Sequence, residues 1–141
     1  MKMIYVARIA GLLMVIAATA VKAGVVEDVA PNKLMAYLET HDDVVLQFTS
    51  TDRECGYCTG ADKAFERFAE KNAGRMSFVR VQWSPWQKTP EVLHGQFRII
   101  AMPAQICIRN GKKVRAYPGI MLDKDKAALE RFEKTCFSDG V

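Results

Sequence analysis

The sequence is poor in several of the features that mark common function classes. Its apolar stretch Ile9–Val21 has 13 residues, whereas a membrane-spanning helix needs about 20. Its two histidines, His41 and His94, show no paired spacing with each other or with any cysteine. A structural zinc site needs two ligand pairs at short spacing, and of the four cysteines only Cys55 and Cys58 are close together, Cys107 and Cys136 being 29 positions apart. Internal repeats and low-complexity tracts are absent. A basic stripe of the kind that binds nucleic acid is absent too.

The net charge of +4 is carried mainly by the start of the chain. Met1–Arg8 contains Lys2 and Arg8 and no acid, the apolar stretch follows, and small residues surround Ala20 and Ala23. This is the three-part layout of a secretory signal peptide. Cleavage after Ala23 is expected, with Ala20 as the second choice. Removing Lys2, Arg8 and Lys22 from the 20 basic residues leaves 17 against 16 acidic ones. The expected division is a signal peptide over 1–23 and one compact domain over 24–141, since 141 residues are too few for two. The location implied is periplasmic or otherwise exported, an oxidising compartment in which all four cysteines can form disulfides.

Hydrophobic periodicity gives the order β-α-β-α-β-α-β-β-α over the mature part. Val25–Val29 reads as a short strand, and Pro31 starts a helix that ends near His41. Val44–Thr49 is apolar enough to be buried on both faces. Thr59–Asn72 has a helical apolar stripe through Ala61, Ala64, Phe65, Phe68 and Ala69, closed by Gly74. Met76–Trp83 is a second buried strand. A loop holding Trp83 and Trp86 follows, either packing on itself or shielding a substrate surface, and then a short helix from Pro90 to Phe97. Ala104–Arg109 and Lys112–Tyr117 form a hairpin about Asn110-Gly111, and Asp123 caps a last helix carrying Leu129, Phe132 and Cys136 on one side. The fold class expected is α/β, a central mixed sheet with helices on both faces.

Cys55-Gly56-Tyr57-Cys58 lies directly after a buried strand and before an amphipathic helix. Two cysteines at this spacing can close a disulfide across a first helical turn. Cys55 sits at the helix N-terminus, where free N–H groups and the helix dipole favour a thiolate, and the thiolate is the attacking species. Cys58 lies further inside and can resolve a mixed disulfide on Cys55. Tyr57 offers a ring beside the exposed sulfur.

With VVLQF before CGYC, the tract FRIIAMP leading into AQICIRNGKKV, and Pro118-Gly119 before the last helix, the chain resembles the thioredoxin superfamily over nearly all of its mature part. The resemblance implies a thiol–disulfide oxidoreductase with Cys55 and Cys58 as catalytic residues and no dissociable cofactor, the electrons travelling in the cysteine pair. It implies protein thiols and disulfides as substrates, a membrane or periplasmic redox partner, and a monomer. It implies a cis bond at Pro103, against the alternative of an ordinary trans loop proline, with the Met102 backbone holding an extended substrate. CGYC is similar to the motif of bacterial periplasmic disulfide isomerases, which favours reductase or isomerase-like exchange.

The chain also departs from thioredoxins, which have Trp before the first cysteine and Pro within the pair, where this sequence has Glu54 and Gly56-Tyr57. Their buried strand acid aligns with Gln47 and its partner lysine with Arg80. Gln47 accepts no proton, so Glu54 is the redox-tuning candidate left, although a carboxylate beside Cys55 opposes its thiolate. These departures sustain a rival reading, a non-catalytic thioredoxin-fold binding module or envelope subunit with a static disulfide. Cys107 and Cys136 either form a structural disulfide between strand and last helix or remain buried thiols acting as small hydrophobes.

Overall fold

The computed structural model describes residues 25–51, 55–82, 95–99, 101–118 and 124–138. The leader over 1–23, Glu54, Trp83, Trp86 and His94 lie outside them. The elements are β1 (Glu27–Asp28), a 3-10 turn (Pro31–Lys33), α1 (Leu34–Leu38), β2 (Val44–Thr49), α2 (Cys58–Lys71), β3 (Ser77–Gln82), β4 (Ala104–Arg109), β5 (Lys112–Pro118) and α3 (Lys126–Phe137). Residues 95–97 are also helical.

The described strands form one sheet in the order β1-β3-β2-β4-β5. β1 and β2 run parallel to β3, whereas β4 runs antiparallel to both β2 and β5. All six residues of β2 are buried, because alternate side chains enter opposite cores. Val44, Leu46 and Phe48 join Val79, Val81, Ile106, Ile108, Leu34 and Phe97 on one face. Val45 joins Phe65, Phe68, Phe78, Cys107, Phe132 and Cys136 on the other. Helices thus cover both faces, α1 on the first and α2 with α3 on the second. On the second face Phe68 is the hub, its ring 5.9 Å from Phe78, 6.0 Å from Phe132 and 5.9 Å from Phe137.

Several element boundaries depart from the sequence expectation. The first strand is only two residues long, although Val29 still donates to the Arg80 carbonyl at 2.9 Å. Pro31 opens a 3-10 turn rather than the α-helix itself, and the helix ends at Leu38. His41 then stacks on Tyr37, with ring centroids 3.9 Å apart. The cap of the last helix is Asp125, whose carboxylate accepts the Ala128 N–H at 3.0 Å; Asp123, expected in that place, lies outside the described residues. Both aspartates fit the preference for an acid at this position, and the hydrogen bond decides between them. The Asn110-Gly111 turn has positive φ at both residues, 51° and 71°, the backbone that a two-residue hairpin loop of this hand requires.

A disulfide joins Cys107 of β4 to Cys136 of α3, with Cα atoms 5.7 Å apart and neither residue exposed. The Arg109 guanidinium reinforces the contact by donating to the Cys136 carbonyl at 2.7 Å. Closing a loop of this length stabilises the fold by about 3–4 kcal/mol on the chain-entropy estimate. Replacing both cysteines by alanine should lower the free energy of unfolding by about that amount. Denaturant titration at constant pH measures it, and a loss within error of zero would mean that the bond does not constrain the unfolded chain.

Candidate redox site

β2 ends at Thr49 and α2 begins at Cys58, so the motif lies where a central strand hands over to a helix. The Cys58 N–H donates to the Cys55 carbonyl at 3.1 Å and the Ala61 N–H to the Tyr57 carbonyl at 3.0 Å. These bonds form the first turn and set Cys55 just ahead of it. Cys55 and Cys58 are joined as a disulfide, their Cα atoms 5.5 Å apart. The two sulfurs differ in surroundings. Cys55 is half-buried, whereas Cys58 is 1% exposed and its Sγ accepts the Ser50 N–H at 3.3 Å. Tyr57 is 65% exposed beside them, with the Lys124 ammonium 5.8 Å from its ring centroid. A side chain at position 56 would meet nothing within 4 Å, so Gly56 is not needed there for room.

The Met102–Pro103 peptide bond is cis. Pro103 is buried and Met102 is half-buried against the α1-side core. Ala104 pairs with Phe48, which brings the Met102–Pro103 bond to the same end of the sheet as the segment between β2 and α2.

Beneath that end the α2 face of the sheet is polar. Gln47 and Gln105 are register partners and neither is exposed. The Gln105 amide donates to Gln47 Oε1 at 2.8 Å, and the Gln47 amide donates to Asp62 Oδ1 at 2.6 Å. Gln47 therefore does not leave the place of an acid merely neutral; it binds an acid supplied by the helix. Arg80, although paired with Gln47 in the β2–β3 register, turns to the sheet edge. Its Nε and Nη2 donate to the two Asp28 oxygens at 2.6 and 2.9 Å, and its Nη1 donates to Glu66 at 2.9 Å. Arg80 acts on Asp62 through its charge alone, which pulls that carboxyl down.

Asp62 is the residue that sequence reasoning missed. It was legible as an acid four positions after Cys58 and three before Phe65, inside the apolar stripe rather than on the charged side. Burial pushes its carboxyl up, against the pull of the Thr49 hydroxyl, the Gln47 amide and the Arg80 charge. At Asp28 the Arg80 hydrogen bonds prevail over burial and hold the carboxyl down. Among the described residues no three His, Cys, Asp or Glu side chains gather so as to hold a metal ion.

A parallel and antiparallel sheet between helices, with a strand–Cys-x-x-Cys–helix unit at one end and a cis-proline entering the neighbouring strand, defines a thioredoxin-fold disulfide-exchange protein. Residues 25–134 match the Thioredoxin family, and the chain belongs to it. Among solved structures it is similar to the reduced thioredoxin pre-protein of Schistosoma mansoni, with 29% identity, a TM-score of 0.60 and coverage of 79% of this chain and 97% of that one. It is also similar to another Schistosoma mansoni thioredoxin structure, at 28% identity and a TM-score of 0.59 over 77% of this chain and 93% of that one. The thioredoxin of Malassezia sympodialis, at 22% identity and a TM-score of 0.60 over 80% of this chain and 91% of that one, shares the fold. Comparison with curated protein sequences gave no match. Family and cysteine pair together make this a thiol–disulfide oxidoreductase in the general sense.

The raised Asp62 carboxyl has a thermodynamic consequence with a definite sign. A carboxyl that binds its proton more tightly folded than unfolded loses stability as pH rises from the ordinary carboxylate range through its folded pKa. Asp62→Asn should therefore be more stable than the wild type at neutral pH and converge with it in acid. Thermal unfolding from pH 3 to 7 measures the difference. A variant less stable than the wild type at neutral pH would show the charged Asp62 to be net favourable.

Proposed function

We propose that the chain is exported and exchanges disulfides with protein substrates, acting as a reductase or in an isomerase-like manner. The observation that carries this reading is the unequal placement of the two sulfurs at the start of α2, one half-buried and one enclosed. Cys55 is the nucleophile: as a thiolate it is favoured by the unpaired N–H groups and dipole of the helix N-terminus. Cys58 meets only a sulfur already bonded to Cys55, which suits it to resolution. Tyr57 beside the cysteines and the Met102 backbone at the same end of the sheet would receive a client, the first through its exposed ring and the second through main-chain pairing. Pro103 presents no N–H there. The resemblance of CGYC to periplasmic isomerase motifs supports reductase or isomerase-like exchange, the direction itself being set by the potential of the pair against its compartment. A membrane or periplasmic redox partner would return the pair to its working state.

Unequal roles require unequal variants. Cys58→Ser should accumulate mixed disulfides with client proteins, seen on non-reducing gels of envelope extracts as high-mass bands that reductant removes. Cys55→Ser should abolish them, and Pro103→Thr should trap more weakly than Cys58→Ser. Equal trapping by the Cys55 and Cys58 variants would refute the roles, and no trapping by either would favour the static binding module.

Export rests on the layout of residues 1–23. The mature protein should begin at Gly24, or at Val21 for the second cleavage choice. N-terminal sequencing of envelope protein decides this, and an intact Met1 in membrane-bound protein would replace the leader by an anchor.

A further inference from the structure

To attack a mixed disulfide on Cys55, the thiol of Cys58 must lose its proton inside the protein, because the residue is 1% exposed. The Ser50 N–H on its sulfur stabilises a thiolate but takes no proton. Of the α2 carboxylates Asp62, Glu66 and Glu70, only Asp62 is half-buried, the other two being exposed. It lies one helical turn after Cys58, and residues four apart on a helix have Cβ atoms about 5–6 Å from each other. The carboxylate is aimed by the Gln105–Gln47 relay, whose last amide holds Oδ1 at 2.6 Å. Between Gln47 and Ser50, on the α2 side of β2, stands the Thr49 hydroxyl, wholly buried and one of the groups whose hydrogen bonding acts on the Asp62 carboxyl. A hydroxyl so placed can hold a water or pass a proton between thiol and carboxylate.

We propose that Asp62 is the proton acceptor for the Cys58 thiol when the mixed disulfide is resolved, and the proton donor to Cys58 when the disulfide is opened. The assignment rests on the disulfide-exchange reading above. In resolution the S–H bond of Cys58 breaks and its proton passes to Asp62, directly or through Thr49 or one water. The Cys58 sulfur bonds to Cys55 Sγ, and the bond from Cys55 to the client sulfur breaks. The client leaves as a thiolate, reduced by two electrons over the full exchange, while Cys55 and Cys58 are oxidised by two. Reversal returns the proton.

The groups that face Asp62 favour this use. Gln47 and Thr49 on β2 are neutral, Gln105 on β4 is neutral, and the charged groups acting on it are Arg80 of β3 and Glu66 of α2. The Arg80 charge is divided between Asp28 and Glu66, so Asp62 is not locked in an ion pair. Burial moves its carboxyl upward, toward the range in which a carboxyl both accepts and donates protons near neutral pH.

The test separates attack from resolution. Reduced protein mixed with one equivalent of 5,5′-dithiobis(2-nitrobenzoate) should release two thiolate equivalents in sequence, the first on attack by Cys55 and the second on displacement by Cys58. In Asp62→Asn the second phase should slow relative to the first by about a hundredfold at neutral pH, the lower end of what a positioned acid–base group contributes. The gap should narrow as pH rises and hydroxide takes over as proton acceptor, and Asp62→Glu should recover part of the rate. A second phase in Asp62→Asn with the wild-type pH profile would overturn the assignment. If Asp62→Asn does not fold, carbon-13 NMR of aspartate-labelled wild-type protein serves instead. The Asp62 carboxyl should then titrate at different pH in the disulfide and dithiol forms, and identical titration would overturn the proposal. Absence of both phases in the wild-type protein would defeat the exchange reading itself, a failure distinct from that of Asp62.

Discussion

The antiparallel pairing of β2 with β4 runs from Val44 opposite Ile108 to Phe48 opposite Ala104, and the redox end of the molecule depends on it. Because the side-chain period of a strand is two, this one register sends Leu46 and Ile106 into one core, and Gln47, Gln105, Val45 and Cys107 toward α2 and α3. It also makes the exit of β2 and the entry of β4 coincide in space. The Cys-x-x-Cys segment and the cis-proline lie at one end of the sheet for that reason. A slip of one residue would carry Gln47 into the α1-side core and Leu46 under the cysteines.

The α2 face is accordingly built in two layers. Far from the site it is aromatic, with Phe65, Phe68, Phe78 and Phe132 packed edge to face. Near the site it is polar, with two glutamines, Thr49 and Asp62 in place of apolar side chains. Buried polar groups are tolerated when hydrogen-bonded, and an ionisable one still loses hydration. Asp62 carries that cost while Asp28, at the sheet edge, gains from Arg80. A local penalty beside reactive sulfurs, offset by burial elsewhere, is the pattern expected where stability yields to chemistry.

Much of the fold was legible because its elements are strongly patterned. The mostly apolar run VVLQFT, the stripe from Ala61 to Ala69 and the Asn110-Gly111 turn each have one good solution, and the structure adopts it. The first strand and the cap of α3 were less legible. A two-residue strand leaves too little alternation to read, and two nearby aspartates compete for one cap. The polar layer was half legible. Gln47 stood out as an uncharged residue where an acid was expected, yet its partner lies 15 residues away on another element, and side-chain hydrogen bonds across elements leave no periodic trace in a sequence.

The Cys107–Cys136 bond links β4 to α3 and encloses β5 between them. The hairpin and the last helix thereby form one covalently closed unit, anchored to the sheet centre through β4. The N-terminus of α2, where the exchangeable bond sits, belongs to no such loop. Local opening at that end can therefore proceed without loosening the C-terminal third, whose amide protons would exchange only in larger openings. Chemistry at one end and cohesion at the other are thus mechanically insulated within a single small domain.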